Sequence, residues 1–291
     1  MPLMHERTFR VRHYECDAYG HVNNANYLRY MQETALDAAA AAGYDVARYA
    51  ALGTGWLARD IDVEYFSPLR YGESVVVKTW VMDIRRVRSR RAYELRRAGT
   101  DEKVAQGATD WVYVNTATGQ PRTVPDEMMA AFFPEGTPPP APPRERPPDP
   151  PPPPPGVFKV RRPALWQDID AVGHVNNARY LGYVSDCGFQ VASAHGWTAD
   201  RMRAEGFGIV VRRLNLHYKQ PAVLDDELEI ATWAYGARRA SAHRAFTITR
   251  VRDGALLMQV DGLYAWVDLV TGAPTRIPAS FLASFAPNFA G

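Results

Sequence analysis

Residues 17–28 read DAYGHVNNANYL, and residues 170–181 read DAVGHVNNARYL. Ten of these twelve positions are identical, at an offset of 153 residues. The same offset pairs Trp80 with Trp233 far from the motif, and no gap is needed between the two matches. Similarity at one fixed spacing over such a length indicates an internal repeat. The chain is therefore predicted to contain two copies of one domain.

A proline-rich segment separates the two copies. Residues 134–156 are dominated by proline, with an uninterrupted run at 150–155. Such segments favour the extended polyproline II conformation and act as semi-rigid spacers at ~3.1 Å per residue. We therefore predict a first domain at residues 1–133, a linker at 134–156 and a second domain at 157–291.

Apolar periodicity predicts the same order of elements in each copy. Apolar residues recur every three or four positions after Asn24 and stop at Gly43, which is typical of an amphipathic helix. Alternating and turn-bounded runs predict strands. In the first copy we predict a strand at 5–13, helices at 24–42 and 46–52, strands at 55–65, 74–82, 90–97 and 104–115, and a last helix at 125–133. In the second copy we predict a strand at 157–162, helices at 177–195 and 198–205, strands at 207–218, 227–235, 242–251 and 255–268, and a last helix from 278. This order predicts an α+β fold with a four-stranded antiparallel meander and one extra strand in front.

Composition is that of an ordinary globular protein. Hydrophobic residues make up 46% and charged residues 23%, and a net charge of +2 gives no electrostatic argument for nucleic-acid binding. Cys16 and Cys187 occupy non-equivalent places in the two copies, which favours a reduced chain over a disulfide framework. No signal-peptide or membrane-span pattern is present, so we expect a cytoplasmic protein.

The repeated motif combines a polar cluster with the start of a long helix. A helix amino terminus carries unpaired backbone N–H groups and the positive end of the helix dipole. The motif places the carboxylates of Asp17 and Asp170 on a loop just before such a terminus. Either carboxylate could simply be a turn residue, since Asp is favoured in turns.

The motif and the element order resemble the hotdog-fold thioesterases, in particular the 4-hydroxybenzoyl-CoA thioesterase-like group. Plant acyl-ACP thioesterases, which have two such domains in one chain, are more distant. The resemblance covers both copies. It implies two tandem hotdog domains, each a long helix wrapped by a curved antiparallel sheet, that pair as an internal pseudo-dimer with active sites at their interface.

The resemblance also implies roles for motif residues. Asp17 and Asp170 match the family's catalytic aspartate. The backbone N–H groups of Asn24 and Asn177 match the group that polarises the thioester carbonyl. The aspartate could attack the carbonyl directly or activate a water molecule, and the sequence leaves both routes open.

Other motif positions are candidates with a structural alternative. His21 and His174 are candidate catalytic residues, although each could hold the loop by a hydrogen bond instead. Gly20 and Gly173 are predicted to allow a tight turn or a close approach of substrate.

An arginine cluster is repeated outside the motif. It includes Arg85 and Arg86 in the first copy and Arg238 and Arg239 in the second. Such clusters usually solvate a strand edge, but here we predict contacts with the phosphates of coenzyme A.

This sequence departs from the family at several positions. Acyl-ACP thioesterases carry an Asn two residues after the Asp, whereas Tyr19 and Val172 stand there, so that part of their mechanism cannot be transferred. Glu33 resembles a helix glutamate that recurs in relatives, and the second copy has Asp186 instead. We therefore expect unequal sites, with the first copy more active.

The predicted function is hydrolysis of an acyl thioester, with coenzyme A as the expected carrier and acyl carrier protein as an open alternative. Two alternative functions are non-catalytic sensing of acyl-CoA and the reaction of a hotdog dehydratase or hydratase. No metal-ligand spacing and no phosphate loop are visible, so neither a metal nor a cofactor is predicted. The expected partner is the small-molecule thioester, with no nucleic acid and no membrane span, and a homo-oligomer of the internal pair is left open.

Overall fold

One long helix and one antiparallel sheet make up each half of the molecule. The computed structural model describes residues 1–136, 141 and 148–290. The chain divides into two units, Met1–Arg146 and Pro147–Gly291. Each unit has the α+β hotdog architecture that the repeat predicts.

The elements of the first unit follow the predicted order. They are β1 (Met4–Arg10), a 3-10 turn (His13–Glu15), α1 (Asn24–Ala41), α2 (Val46–Leu52), β2 (Thr54–Tyr65), β3 (Ser74–Arg85), β4 (Arg88–Arg97), β5 (Lys103–Asn115) and α3 (Asp126–Phe132). The 18-residue helix α1 packs against β1 and β3. Its buried face presents Tyr27, Leu28 and Met31 to the sheet. At Gly107 of β5 an added Cβ would lie 3.1 Å from Met31 Cε and 2.6 Å from a backbone oxygen, so this position needs glycine.

The predicted four-stranded meander is wrong in its strand order. The observed order is β1-β3-β4-β5-β2, so β2 pairs with β5 and not with β3. The reason lies in the connections. Two residues join β3 to β4, whereas the eight residues 66–73 join β2 to β3 and are long enough to cross over. Leu69 in this connection is fully buried, and its oxygen accepts a hydrogen bond from the Val22 N–H at 2.8 Å.

The second unit repeats this topology with small differences. Its elements are β6 (Phe158–Pro163), a 3-10 turn (Trp166–Asp168), α4 (Arg179–Ala194), α5 (Ala199–Ala204), β7 (Phe207–Tyr218), β8 (Glu227–Tyr235), β9 (Ser241–Arg250), β10 (Leu256–Asp268), α6 (Ala279–Phe285), a 3-10 turn (Ala286–Asn288) and β11 (Phe289–Ala290). The strands lie in the order β7-β10-β9-β8, and both β6 and β11 pair with β8. Helix α4 begins two residues later than predicted, because residues 177 and 178 form a turn before it. The short strand β11 was not predicted.

The predicted linker lies only partly among the described residues. Residues 137–140 and 142–147 are outside them, and residues 148–157 contain no helix or strand. Trp233 Nε1 donates to the oxygen of Pro151 at 3.0 Å, which attaches the polyproline run to the second unit. Of the helices in the described ranges, none is long and apolar enough to cross a membrane.

Candidate active site

The first copy of the motif folds into a small antiparallel loop. The N–H of Asn23 donates to the oxygen of Glu15 at 2.9 Å, and the N–H of Asp17 donates to the oxygen of His21 at 2.7 Å. These two antiparallel backbone hydrogen bonds close the loop formed by residues 15–23. The loop therefore holds Asp17 in place with backbone groups alone.

The second copy makes the same two bonds. The N–H of Asn176 donates to the oxygen of Asp168 at 2.9 Å, and the N–H of Asp170 donates to the oxygen of His174 at 2.9 Å. The duplicated sequence thus produces the same local geometry twice.

Glycine forms the tip of each loop. Gly20 has φ +74° and Gly173 has φ +83°, a conformation that other residues rarely adopt. Each glycine N–H donates to the oxygen of the loop aspartate at 2.9 Å. The predicted tight turn is present in both copies, and contact of these glycines with substrate stays a prediction.

Backbone N–H groups orient the loop carboxylates. Asp17 Oδ1 accepts from the N–H of Tyr19 at 2.9 Å and of His21 at 3.2 Å. Asp170 Oδ1 accepts from the N–H of Val172 at 3.0 Å. Within residues 1–136, 141 and 148–290, no donor contacts the second oxygen of either carboxylate. Each carboxylate is thus fixed through one oxygen and can present the other to a ligand.

The helix start beside each loop offers a backbone donor. Asn23 Oδ1 caps α1 by accepting from the Ala25 N–H at 3.0 Å, and Asn176 Oδ1 accepts from the Ala178 N–H at the same distance. In the described part of the chain, the N–H groups of Asn24 and Asn177 have no acceptor. The Asn24 N–H lies at the first residue of α1, and the Asn177 N–H lies in the turn two residues before α4. An unpaired N–H near a helix start is suited to bind a negatively charged oxygen.

A tyrosine of the sheet donates a hydrogen bond to the backbone oxygen of each of these asparagines. Tyr65 OH donates to the oxygen of Asn24 at 3.4 Å, and Tyr218 OH donates to the oxygen of Asn177 at 2.8 Å. The bond therefore holds the peptide group that directly follows the candidate donor N–H. The sequence shows these tyrosines as a matched pair at the 153-residue offset but does not reveal their contact.

Tyr27 and Tyr180 are core residues of the two motif helices and also accept a hydrogen bond. Both are almost fully buried on the apolar helix face. Tyr27 OH accepts from the Leu69 N–H at 3.2 Å, and Tyr180 OH accepts from the Ala222 N–H at 2.9 Å. Burial raises the pKa of each phenol to about 12, so both remain neutral at physiological pH. These two hydrogen bonds connect the long helix of each unit to the crossover segment that contains Leu69 or Ala222.

The surroundings of the two histidines differ. His21 forms a backbone bridge with Arg70, and an added Cβ at Gly20 would lie 4.0 Å from Arg70 Nη1. Burial lowers the pKa of His21 below its usual value, Arg70 lowers it further, and Asp17 acts in the opposite direction. His21 is therefore neutral at pH 7. In the second copy Val223 stands where Arg70 does, so no cation occupies that position.

A buried carboxylate lies beneath each loop, and sequence reasoning missed it. Glu15 accepts the Tyr30 OH at 2.7 Å and the Arg12 N–H at 2.7 Å through Oε2. Its side chain is only 6% exposed, and Arg12 Nη1 lies 3.4 Å from Oε1. The same residue's backbone oxygen accepts from Asn23, so Glu15 connects the helix, the loop and the preceding turn.

Asp168 is the equivalent carboxylate of the second copy, but its partners differ. Arg162 Nη2 lies 3.7 Å from Oδ2 and Arg179 Nε lies 3.8 Å from Oδ1. Leu165 donates its N–H to Oδ2 at 3.1 Å. An acidic residue at both positions, related by the offset, is the only sequence signal that could have identified this pair.

The predicted arginines do not lie beside the motif loop of their own unit. The loop contacts the connection that leads into β3 at Ser74, whereas Arg85 and Arg86 lie at the other end of that strand, roughly 36 Å away for a 12-residue strand. Arg85 Nη2 donates to the oxygen of Ala141 at 3.1 Å, and its Nε lies 3.2 Å from Asp83 Oδ2.

The matching pair in the second unit is placed in the same way. Arg238 and Arg239 occupy the turn between β8 and β9, far along β8 from the motif end. All four arginines are exposed. Their contact with coenzyme A stays a prediction that the geometry of a single unit does not support.

The predicted role of Glu33 is also not supported. Glu33 is half exposed, and its Oε2 lies 3.6 Å from Arg7 Nη1 at the surface of the unit. Its counterpart Asp186 pairs with Arg162 in the same way, at 3.6 Å. Glu33 lies nine residues into α1, roughly 13 Å along the helix from its start. It therefore gives no reason to expect a more active first copy.

No metal centre accompanies these residues. Among residues 1–136, 141 and 148–290, no three His, Cys, Asp or Glu side chains are grouped so that they could hold a metal ion. The chemistry available at each loop is that of a carboxylate, an imidazole and a backbone donor.

Fold and site together define a protein built from two hotdog domains with one carboxylate loop in each. The sequence profile of the thioesterase-like superfamily matches residues 11–132 and 164–285, so both copies are covered. The chain belongs to this superfamily.

Individual relatives agree with this membership. The acyl-CoA thioester hydrolase YbgC of Escherichia coli is 31% identical over 121 residues, which are 41% of this chain and 89% of the relative. A palmitoyl-acyl carrier protein thioesterase of Arabidopsis thaliana is 24% identical over 198 residues, or 62% of this chain. The match spans only 46% of that plant protein.

Solved structures support the fold of the whole chain. The 12:0-ACP thioesterase from Umbellularia californica superposes with a TM-score of 0.69 over 90% of this chain and 93% of the other, at 19% identity. At this identity the likeness shows the two-domain fold alone.

Proposed function

We propose that the protein hydrolyses acyl thioesters, with Asp17 and Asp170 as the reacting carboxylates of two sites. One observation carries the proposal. Among the described residues, each loop combines a carboxylate that has one unengaged oxygen with an N–H group, at or just before the adjoining helix, that has no acceptor. Names of relatives that cleave acyl-CoA or acyl carrier protein thioesters are consistent with this chemistry.

The two groups divide the work of thioester cleavage. The N–H of Asn24 or Asn177 stabilises the negative charge that develops on the carbonyl oxygen, and it does so without a metal ion. The free carboxylate oxygen then attacks the carbonyl carbon or removes a proton from an attacking water molecule. Direct attack expels the thiolate and leaves a mixed anhydride, which a water molecule then hydrolyses, whereas an activated water molecule expels the thiolate in one displacement. Both routes consume one water molecule and give a free acid and a thiol.

The histidine beside each carboxylate supports proton transfer. In the first copy His21 is neutral at pH 7, because burial and Arg70 lower its pKa. A neutral imidazole can accept a proton from the attacking water, and the imidazolium so formed can donate that proton to the leaving thiolate. Its backbone N–H bond to Asp17 keeps it next to the reacting group.

Three wider expectations accompany the proposal. Coenzyme A is the proposed carrier of the acyl group. The two units are proposed to pair as an internal pseudo-dimer, and assembly into a homo-oligomer of that pair stays open. The cytoplasm is the proposed compartment.

A thiol-release assay over short-, medium- and long-chain acyl-CoA substrates tests the proposal. The wild type should release thiol, and the Asp17→Asn/Asp170→Asn double variant should lose roughly 10²- to 10⁴-fold in rate while circular dichroism shows an intact fold. Asp101→Asn, in the exposed turn before β5, is the matched control and should keep full activity. A wild type that binds acyl-CoA without releasing thiol would indicate a sensor and contradict the proposal, as would a fully active double variant.

A further inference from the structure

Strand β1 is the outermost strand of the first unit's sheet. Among the described residues it pairs with β3 alone, in a register that puts Arg10 opposite Ser74. The oxygen of Ser74 accepts from the N–H of Ala98 at 2.8 Å, on the side away from β1, so the Arg10–Ser74 pair exchanges no hydrogen bonds. The N–H and C=O groups of Arg10 therefore point away from β3. Those of Thr8 and Glu6 do the same, because this direction alternates along an antiparallel strand.

A groove follows this outer edge of β1. Its volume is about 430 Å³, and it is lined by every residue from 7 to 14 together with Tyr71. Side chains on one face of a strand belong to alternate residues, so a lining of consecutive residues means that the groove lies along the edge of the strand. The backbone groups of β1 that point outward are therefore open to pairing with another strand.

The residues that point outward form a self-complementary set. Glu6, Thr8 and Arg10 are all exposed. When two copies of β1 run antiparallel about a twofold axis at Thr8, each Thr8 faces Thr8 of the other copy and each Glu6 faces Arg10. Thr–Thr pairs and pairs of opposite charge stabilise antiparallel strands. Each of these pairs would also exchange two backbone hydrogen bonds.

Both charged residues are available for such pairing. Arg10 makes no ion pair within the part of the chain that the structure describes. Glu6 is about half exposed, and its Oε1 lies 3.5 Å from Lys78 Nζ at the surface. A second copy would therefore not have to displace a buried partner from either side chain.

The equivalent edge of the second unit does not have this complementarity. At the 153-residue offset, the three outward residues of β1 correspond to Lys159, Arg161 and Pro163, which are all exposed. The same register would place Arg161 opposite Arg161 and Lys159 opposite Pro163, which has no N–H to donate. Proline and like charges protect edge strands against pairing. The fold therefore accepts a protected edge, and only the first copy has a self-complementary one.

We propose that β1 is a dimerisation surface, at which a second copy of this chain adds its own β1 antiparallel to the first. This inference does not depend on thioester hydrolysis. A pairing of a few residues buries less than a standard interface of about 1,600 Å², so the dimer is reversible and depends on concentration. Strand β1 continues through the 3-10 turn at His13–Glu15 into the first motif loop, so assembly and the candidate site involve one segment.

Sedimentation velocity over a series of protein concentrations tests the proposal. The wild type should move from the mass of one chain towards that of two as the concentration rises. Arg10→Pro removes an outward N–H and one charge, and it should raise the dissociation constant of the dimer at least ~10-fold. The fold should accept this change, because proline stands at the equivalent position 163 of the second unit. Circular dichroism checks that the variant is folded.

Exchange of the two charges tests the register of the pairing. Glu6→Arg or Arg10→Glu alone places like charges opposite each other at both ends and should raise the dissociation constant at least ~10-fold. The combined Glu6→Arg/Arg10→Glu variant should dimerise again, because the pairs are once more of opposite charge. Arg122→Glu makes the same charge change at an exposed position before α3 and should dimerise like the wild type. Failure of the combined variant to recover would contradict this register.

Oxidative cross-linking tests the position of the twofold axis. Directly opposed residues of a hydrogen-bonded pair have Cα atoms about 5.5 Å apart, so Thr8→Cys should form a disulfide between two copies. Arg161→Cys, at the equivalent position of the second unit, should stay unlinked, and the wild type gives the background from Cys16 and Cys187. A chain that stays monomeric at every concentration would overturn the proposal, even if this edge bound an unrelated peptide. A dimer that is unaffected by Arg10→Pro would overturn it as well.

Discussion

The two motif loops of this chain have the same backbone and different surroundings. Bonds from Asn23 to Glu15 and from Asn176 to Asp168 close the two loops at the same distance, 2.9 Å. Beside this common frame, the first loop has Arg70 and the second has Val223. The comparison shows that backbone hydrogen bonds maintain the loop geometry, while side chains on neighbouring segments are free to diverge.

The buried carboxylates extend this comparison. Glu15 is held by Tyr30 and by one arginine that is more than half exposed, whereas Asp168 lies between Arg162 and Arg179. The backbone N–H of the equivalent residues Arg12 and Leu165 donates to the carboxylate in both copies, and the second copy has two arginines beside it where the first has one.

The largest effect is expected from removing one loop carboxylate at a time. Asp17→Asn should abolish turnover at its own site, and Asp170→Asn at the other, so each single variant keeps the activity of the remaining loop. The loss should appear in kcat more than in KM, because the carboxylate acts mainly in the transition state. Steady-state kinetics of the three variants would establish whether both loops work. A single variant as inactive as the double variant would mean that only one loop is catalytic.

A smaller effect is expected on stability from the carboxylates beneath the loops. Asp168→Asn removes the charge partner of Arg179 and one of the two carboxylates beside Arg162, and it should cost about 2 kcal/mol. Glu15→Gln keeps acceptors for its neighbours and should cost about 1 kcal/mol. Thermal unfolding monitored by circular dichroism would rank the variants. Asp200→Asn, in an exposed ion pair on α5, is the control and should change little. A larger loss for Glu15→Gln would reverse the comparison.

The smallest effect concerns the imidazole of the first loop. Arg70→Ala removes one of the causes that lower the pKa of His21, so that pKa should rise toward its ordinary value of 6.5. NMR titration of the ring protons would measure it, with the His174 signals expected to stay unchanged because Val223 holds the equivalent position.

The same shift in the pKa of His21 determines whether the stability of the protein rises or falls as the pH decreases. A depressed histidine pKa means that stability is complete above pH 6.5 and falls as the pH drops toward the folded pKa. This acid-induced loss should be smaller in Arg70→Ala than in the wild type. A His21 pKa that moves downward in the variant would show that Arg70 does not act through its charge.

Periodicity predicted the elements well, because strands such as β7 and β8 carry apolar patterns that depend only on neighbouring residues. Strand order was not predictable in this way. Whether β2 pairs with β3 or β5 depends on the path of residues 66–73, and that path is fixed by the contact of Leu69 with Val22 and Tyr27.

The candidate site was predictable only where it lies within one continuous stretch. The loop aspartates, glycines and capping asparagines are all in the motif, so their proximity follows from sequence. Arg70 reaches the first loop from the β2–β3 crossover, and Tyr65 reaches its helix start from β2. Such contacts depend on the three-dimensional path of the chain, and single-sequence patterns do not encode them.

The bond between Trp233 Nε1 and the oxygen of Pro151 gives this protein a built-in optical reporter. Trp233 is almost fully buried, and its only polar atom is bonded to the polyproline run. Detachment of that run would bring water to the indole and shift its emission to longer wavelengths. The chain has seven tryptophans, so the difference in emission between the wild type and Trp233→Phe isolates the signal of this one. Stopped-flow fluorescence could then follow the attachment of the linker on the timescale of its own motion.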